Sequence, residues 1–294
     1  MSWLKKVVIN AGAPKVSIIQ ALKSNMGGYQ PARSIATVHA SDITKSNFCP
    51  RHWALLDILK AQKKDEYIST ALQATFDVGK ATAKVLVEEW AGESAIGNWK
   101  CLRCDANKKM TTKPKKGCPG HGAKCLWEYE EPAFLSTQYG VSGSIDVLME
   151  LGVPLWMVTE LKIIKVEDFE NLAAPLPEHR IRTALYLKLI ADSNDPAKNK
   201  INLHEARVLY VSRGYGKKNA DHGDIMPFKE YTVQRDDTVL EKPLAKALQI
   251  KKFREDGLMP SGICNTALDK TAKSCNVCPQ CFSGQFPTMQ EPLI

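Results

Sequence analysis

Between Val141 and Lys162 the chain reads VSGSIDVLMELGVPLWMVTELK. Asp146 stands near the start of one apolar strand. Beyond a Gly152/Pro154 turn, Glu160 and Lys162 stand two apart on a second strand. Side chains alternate faces along a strand, so Glu160 and Lys162 point the same way. Charged groups within apolar strands are costly unless they pair or bind an ion. Two carboxylates beside an ammonium are what a Mg²⁺- or Mn²⁺-dependent phosphodiester-cleaving centre requires, because Mg²⁺ takes one or two carboxylates and fills its shell with water and phosphate oxygens. The plainer alternative is a buried Glu160–Lys162 ion pair with an unrelated Asp146, since this spacing also arises by chance.

The elements that would position these groups follow in order. Pro177 opens an amphipathic helix over about 178–192. Ile181, Leu185 and Leu189 form its apolar stripe, and His179, Arg182 and Tyr186 fall on a second. Helices are expected near 50–63, 71–90 and 240–256, the last closed by Gly257. Strands are expected at 140–150, 155–164, 205–212 and 228–234.

The order helix–strand–strand–helix–strand–strand–helix, with Gly143-Ser-Ile-Asp146, thirteen residues and then Glu160-Leu-Lys162, resembles the PD-(D/E)XK nucleases, and in particular their RecB-like branch. The resemblance covers about residues 40 to 285. It implies an α/β fold with a restriction-endonuclease-like core, a mixed central sheet flanked by helices. It makes Asp146 and Glu160 metal ligands together with the backbone carbonyl of Ile163, and makes Lys162 the group that orients the attacking water. A glutamine and a tyrosine of the family helix fall at Arg182 and Tyr186, which with His179 are the implied DNA-binding residues. The arginine departs from the family pattern. So does Ala83, which stands where the family carries a metal-binding His or Glu; Glu88 and Glu89 could substitute only in a different helical register.

Nine cysteines, with no apolar leader and no long apolar run, point to a reducing, cytoplasmic setting in which clustered thiols bind metal. Cys101, Cys104, Cys118 and Cys125 lie in a segment almost without apolar residues, which needs zinc to fold. His121 makes an equally regular second knuckle and is the alternative to Cys125. A disordered basic loop with incidental cysteines is the plain reading. The second set is Cys49 with Cys264, Cys275, Cys278 and Cys281. One early and three late cysteines resemble the iron–sulfur staple of AddB-type and CRISPR-associated RecB-like nucleases. That resemblance selects Cys49, Cys264, Cys275 and Cys281 as ligands of a 4Fe–4S cluster, with Cys278 spare. A second zinc site in the Cys275/Cys278/Cys281 knuckle is the rival. By analogy with a disulfide, closing the loop of more than two hundred residues between Cys49 and Cys264 is worth about 5 kcal/mol.

A formal charge of +8 and basic runs at Lys113–Lys116, Lys217–Lys218 and Lys251–Arg254 suit a nucleic-acid partner. A further basic loop over Arg213–Lys218 offers Tyr215 for stacking on a base. The layout expected is a helical region at 1–97, a zinc-ribbon-like insertion at 98–131, the nuclease core at 132–256 and a cysteine-rich iron–sulfur segment at 257–294. This resembles stand-alone exonucleases carried by bacteriophages, acting on single-stranded DNA or DNA ends beside replication or recombination proteins. Two other classes compete: a nuclease-fold DNA-binding factor with little or no activity, and a zinc-ribbon RNA-binding protein.

Overall fold

The computed structural model describes residues 26, 28–30, 35–59, 66–122, 124–214 and 227–283. In chain order the elements are β1 (Gly28–Gln30), β2 (Val38–His39), α1 (Ala40–Ile43), α2 (Pro50–Ile58), β3 (Glu66–Ile68) and α3 (Thr70–Val85). A π-helical turn over Leu86–Trp90 extends α3. Then come β4 (Ala95–Cys101), β5 (Asn107–Thr111), β6 (Trp127–Glu130), β7 (Ala133–Ser136), β8 (Val141–Ser144), β9 (Val147–Met149) and β10 (Met157–Ile164). The rest is α4 (Val166–Glu170), α5 (Pro177–Asp192), β11 (Glu205–Ser212), β12 (Phe228–Gln234), α6 (Glu241–Asp256), α7 (Lys270–Lys273) and α8 (Cys278–Phe282).

A seven-stranded mixed sheet runs β12-β11-β10-β9-β4-β5, with β6 also paired to β4. Only β10 and β11 are parallel within it. Strands β2, β8 and β7 form a second small sheet. The core lies where Ile145, Leu148 and Val158 meet Leu185, Leu187, Leu189 and Ile190 of α5 and Leu244 and Ile250 of α6.

The single strand expected over 140–150 is two. Strand β8 pairs with β7 and β2, whereas β9 pairs with β10 and β4. The chain changes sheets at Ile145-Asp146, so Asp146 sits at a break between strands. Helix α5 is buried on more sides than its apolar stripe implies: His179, Thr183, Ala184 and Tyr186 are buried with Leu185 and Leu189, while Ile181 is half-buried. Strand β4 runs straight through the domain boundary expected at 97/98, so the cysteine-bearing insertion is an outgrowth of the central sheet. Gly257, at φ 73°, ends α6 in the left-handed conformation expected of it.

Candidate active site and metal centres

The hairpin of β9 and β10 pairs Met149 with Met157 and Val147 with Thr159. Its alternation sends Glu160 and Lys162 to one side, where Lys162 Nζ lies 2.5 Å from Glu160 Oε1 and 3.7 Å from Asp146 Oδ2. The Leu161 N–H donates to Asp146 Oδ2 at 2.6 Å, fixing the first carboxylate against the strand that carries the second. Arg182 Nη1 from α5 approaches Glu160 Oε1 at 3.3 Å. Four of the expected residues thus meet at one point.

Glu160 is buried, and its Oε2 has no hydrogen-bond partner among the described residues. A buried, unsatisfied carboxylate oxygen is expensive, and a hard divalent cation is a ligand that satisfies it. The donor set therefore fits Mg²⁺ or Mn²⁺. Burial pushes the Glu160 carboxyl up to about 7, helped by the charge of Asp146 and opposed by Lys162 and Arg182.

The neighbouring cavity, of about 340 Å³, is lined by Gly79, Ala83, Glu88, Tyr129, Asp146 and Lys162 among others. Ala83 does face it, and so does Glu88, five residues on. In a regular helix those positions diverge. The π turn, with its Ala91 N–H to Leu86 carbonyl bond of 2.7 Å, winds by five and supplies the altered register. Glu88 Oε1 accepts the Tyr129 N–H at 3.0 Å, which aims the carboxylate along β6. Leu161 lines this cavity and Ile163 does not, and the Leu161 carbonyl accepts a hydrogen bond from Lys162 Nζ at 2.9 Å. Glu88 is thus the substitute expected only in a different register, which the π turn supplies, whereas Leu161 carried no signal in the sequence.

Tyr186 is buried against Gly143, where an added Cβ would come within 3.0 Å of its ring. His179 is buried too, with Nδ1 2.7 Å from the Tyr210 hydroxyl. That hydroxyl accepts the Leu176 N–H at 2.9 Å, so its own proton goes to His179, which keeps its proton on Nε2. Burial, with Lys162 and Arg182 nearby, lowers the His179 pKa to about 4. Its contacts make it a brace for α5.

These two shifts act oppositely on stability. Glu160 holds a proton in the folded state between its ordinary 4.5 and about 7, so metal-free stability falls as pH rises through that window. The unfolded chain protonates His179 between about 4 and 6.5, so stability rises with pH there. In chelator, Glu160→Gln should leave a melting temperature that climbs from pH 4.5 to 6.5, and His179→Gln one that falls. Thermal melts across that range check both signs.

Cys101 ends β4, Cys104 lies in the following turn and Cys118 in a bridge to Gly122. The sulfurs of Cys101, Cys104 and Cys118 and a ring nitrogen of His121 all lie within 4.8 Å of one another. His121 Nδ1 is 3.4 Å from Cys118 Sγ and 3.8 Å from Cys101 Sγ. The Arg103 N–H points at Cys101 Sγ at 3.4 Å. The grouped quartet thus contains His121, with the Cys125 thiol close beside Cys101 and Cys118.

Cys49, Cys264, Cys275, Cys278 and Cys281 line a cavity of about 630 Å³ between the start of α2 and the C-terminal segment. Burial and the neighbouring thiols raise the pKa values of Cys264 and Cys275. No three of the five close to within 4.8 Å, as the first quartet does.

Of the basic runs, Lys251 pairs with Glu255 and Arg254 with Asp57 and the Ile35 and Ala36 carbonyls, so that run braces the fold. Most of the loop expected at Arg213–Lys218, Tyr215 and the Lys217–Lys218 run included, lies outside the described residues. No described helix is long and apolar enough to cross a membrane.

No protein-family model matches the chain, and no curated protein matches it in sequence. Among solved structures, the alkaline exonuclease LHK-Exo from Laribacter hongkongensis aligns over 76% of this chain and 90% of its own, at 12% identity and TM-score 0.40. The same protein in complex with dAMP aligns with equal coverage and identity at TM-score 0.38. The crystal structure of SSO0001 aligns over 76% of this chain and 78% of its own, at 12% identity and TM-score 0.35.

Proposed function

We propose that the chain is a divalent-metal-dependent deoxyribonuclease that hydrolyses phosphodiester bonds at Asp146, Glu160 and Lys162. The observation that carries this reading is the buried Glu160 Oε2, without a hydrogen-bond partner among the described residues, set beside Asp146 and an ammonium. Asp146, Glu160 and, from the π turn, Glu88 would hold Mg²⁺ or Mn²⁺, with the Leu161 carbonyl in place of that of Ile163. The metal would lower the pKa of a bound water and polarise the phosphate. Lys162 positions that water and offsets the charge that builds on the phosphate oxygens. Arg182 exchanges part of its bond to Glu160 for a phosphate oxygen, while Tyr186, buried against Gly143, supports the helix that carries it. Zinc in the Cys101/Cys104/Cys118/His121 group, with Cys125 as the alternate ligand, and a 4Fe–4S cluster on Cys49, Cys264, Cys275 and Cys281 would be structural.

The subclass proposed is an exonuclease on single-stranded DNA or DNA ends. Linear and circular single strands of equal length, incubated with Mg²⁺ or Mn²⁺, test it. Loss of the linear strand alone supports the exonuclease, and nicking of the circle makes the protein an endonuclease. Cleavage of neither favours a DNA-binding factor, a reading that the Arg182–Glu160 pair and Ala83 support.

A further inference from the structure

Residues 99–125 hold eight lysines and arginines against one acid, Asp105, a surplus of seven in a chain whose whole surplus is eight. The cysteine-bearing end of this outgrowth of the central sheet is thus strongly basic, while its return along and just past β6 carries three acids, Glu128, Glu130 and Glu131. Lys113 and Lys115 are spent locally, on Glu89 and Glu93. Lys100, Lys108, Lys109, Lys116 and Lys124 are exposed, and none pairs with a carboxylate among the described residues. Unpaired, exposed ammonium groups at this density are a footprint for a polyanion.

The outgrowth has little apolar material to hold it. Trp99 meets Tyr129 edge-on at 5.3 Å, and the Trp127 indole N–H donates to the Lys116 carbonyl at 3.0 Å. Strand β4 is paired to β5 and β6 at its base, and beyond those pairings the turns carrying the basic residues are held by the grouped Cys101, Cys104, Cys118 and His121 donors. Strand β6 leads from Cys125 directly to Glu128 and Tyr129 in the wall of the Asp146 cavity. The basic end and the Asp146 cavity are thus joined by one short strand.

We propose that the segment from Cys101 to Cys125 is a zinc-held finger that grips the phosphate backbone of single-stranded DNA beside the Asp146 cavity. The substrate class rests on the nuclease reading, but the test uses binding alone. The full chain, without added Mg²⁺ or Mn²⁺, is titrated against a fluorescent 30-nucleotide oligo(dT) over a range of salt. Combining Lys108→Ala, Lys109→Ala, Lys116→Ala and Lys124→Ala should weaken binding by about 10-fold or more at low salt and flatten the log K against log salt slope by about 2 to 3. Zinc content near one per chain in that variant shows that the finger is still folded. Cys104→Ser should lose the zinc and bind no better than the lysine variant. A parent that binds this way but does not cleave DNA when Mg²⁺ or Mn²⁺ is added would refute the nuclease reading and leave the finger standing. Unchanged affinity and slope in the lysine variant, or no zinc in the parent, overturns the proposal. Because Leu102 and Leu126 are exposed at the tip, anionic phospholipid vesicles are the control. Binding to them in preference to the oligonucleotide would also overturn it.

Discussion

Asp146→Asn should reduce Mg²⁺-supported DNA cleavage on the order of 1,000-fold or more, with the melting temperature almost unmoved. The side chain is partly exposed at the break between β8 and β9, and an asparagine oxygen can still accept the Leu161 N–H. The change therefore spares packing and removes a negative charge from the cation's shell. Lys162 would keep Glu160 but lose its second carboxylate neighbour. Steady-state cleavage beside a thermal melt checks both halves. Activity within tenfold of the parent would move the catalytic centre away from this hairpin.

Loss of the iron–sulfur cluster proposed for these cysteines should lower the melting temperature by about 10–20 °C, from the roughly 5 kcal/mol of loop closure between Cys49 and the C-terminal cysteines. Without it, the polar ties across this junction include Arg51 Nε to the Pro260 carbonyl at 2.9 Å and His52 Nε2 to Asn276 Oδ1 at 2.8 Å, both modest. Anaerobically purified protein should be brown, with about four irons per chain. Cys275→Ser should bleach it and lower the melt, and Cys278→Ser should do neither. A colourless protein with two zincs per chain would replace the cluster with a second zinc site.

The β9–β10 hairpin was legible because alternation and a Gly152/Pro154 turn are local signals. Helix α5 was legible from Pro177 for the same reason, and its burial was not. His179 and Tyr186 sit inside because β8 and β11 cover them, which no helical stripe records. The break at Asp146 depends on β8 finding β2, a partner about a hundred residues away. Glu88 was legible only as a conditional substitute for Ala83, because its placement needs one π turn and periodicity assumes none. The cysteine spacings located both thiol groups. Spacing does not choose between His121 and Cys125, which differ in how the turn after Cys118 folds back through Gly122, at φ 49°.

The central claim is that Asp146, Glu160 and Lys162 cleave DNA with a divalent metal. Its most direct test is single-turnover cleavage of an end-labelled single strand in Mn²⁺, parent and Lys162→Ala in parallel from one anaerobic preparation. Chelator-sensitive cleavage by the parent and a loss of about 100-fold or more in the variant are expected. Equal cleavage by both, or none by a fully metallated parent, would contradict it.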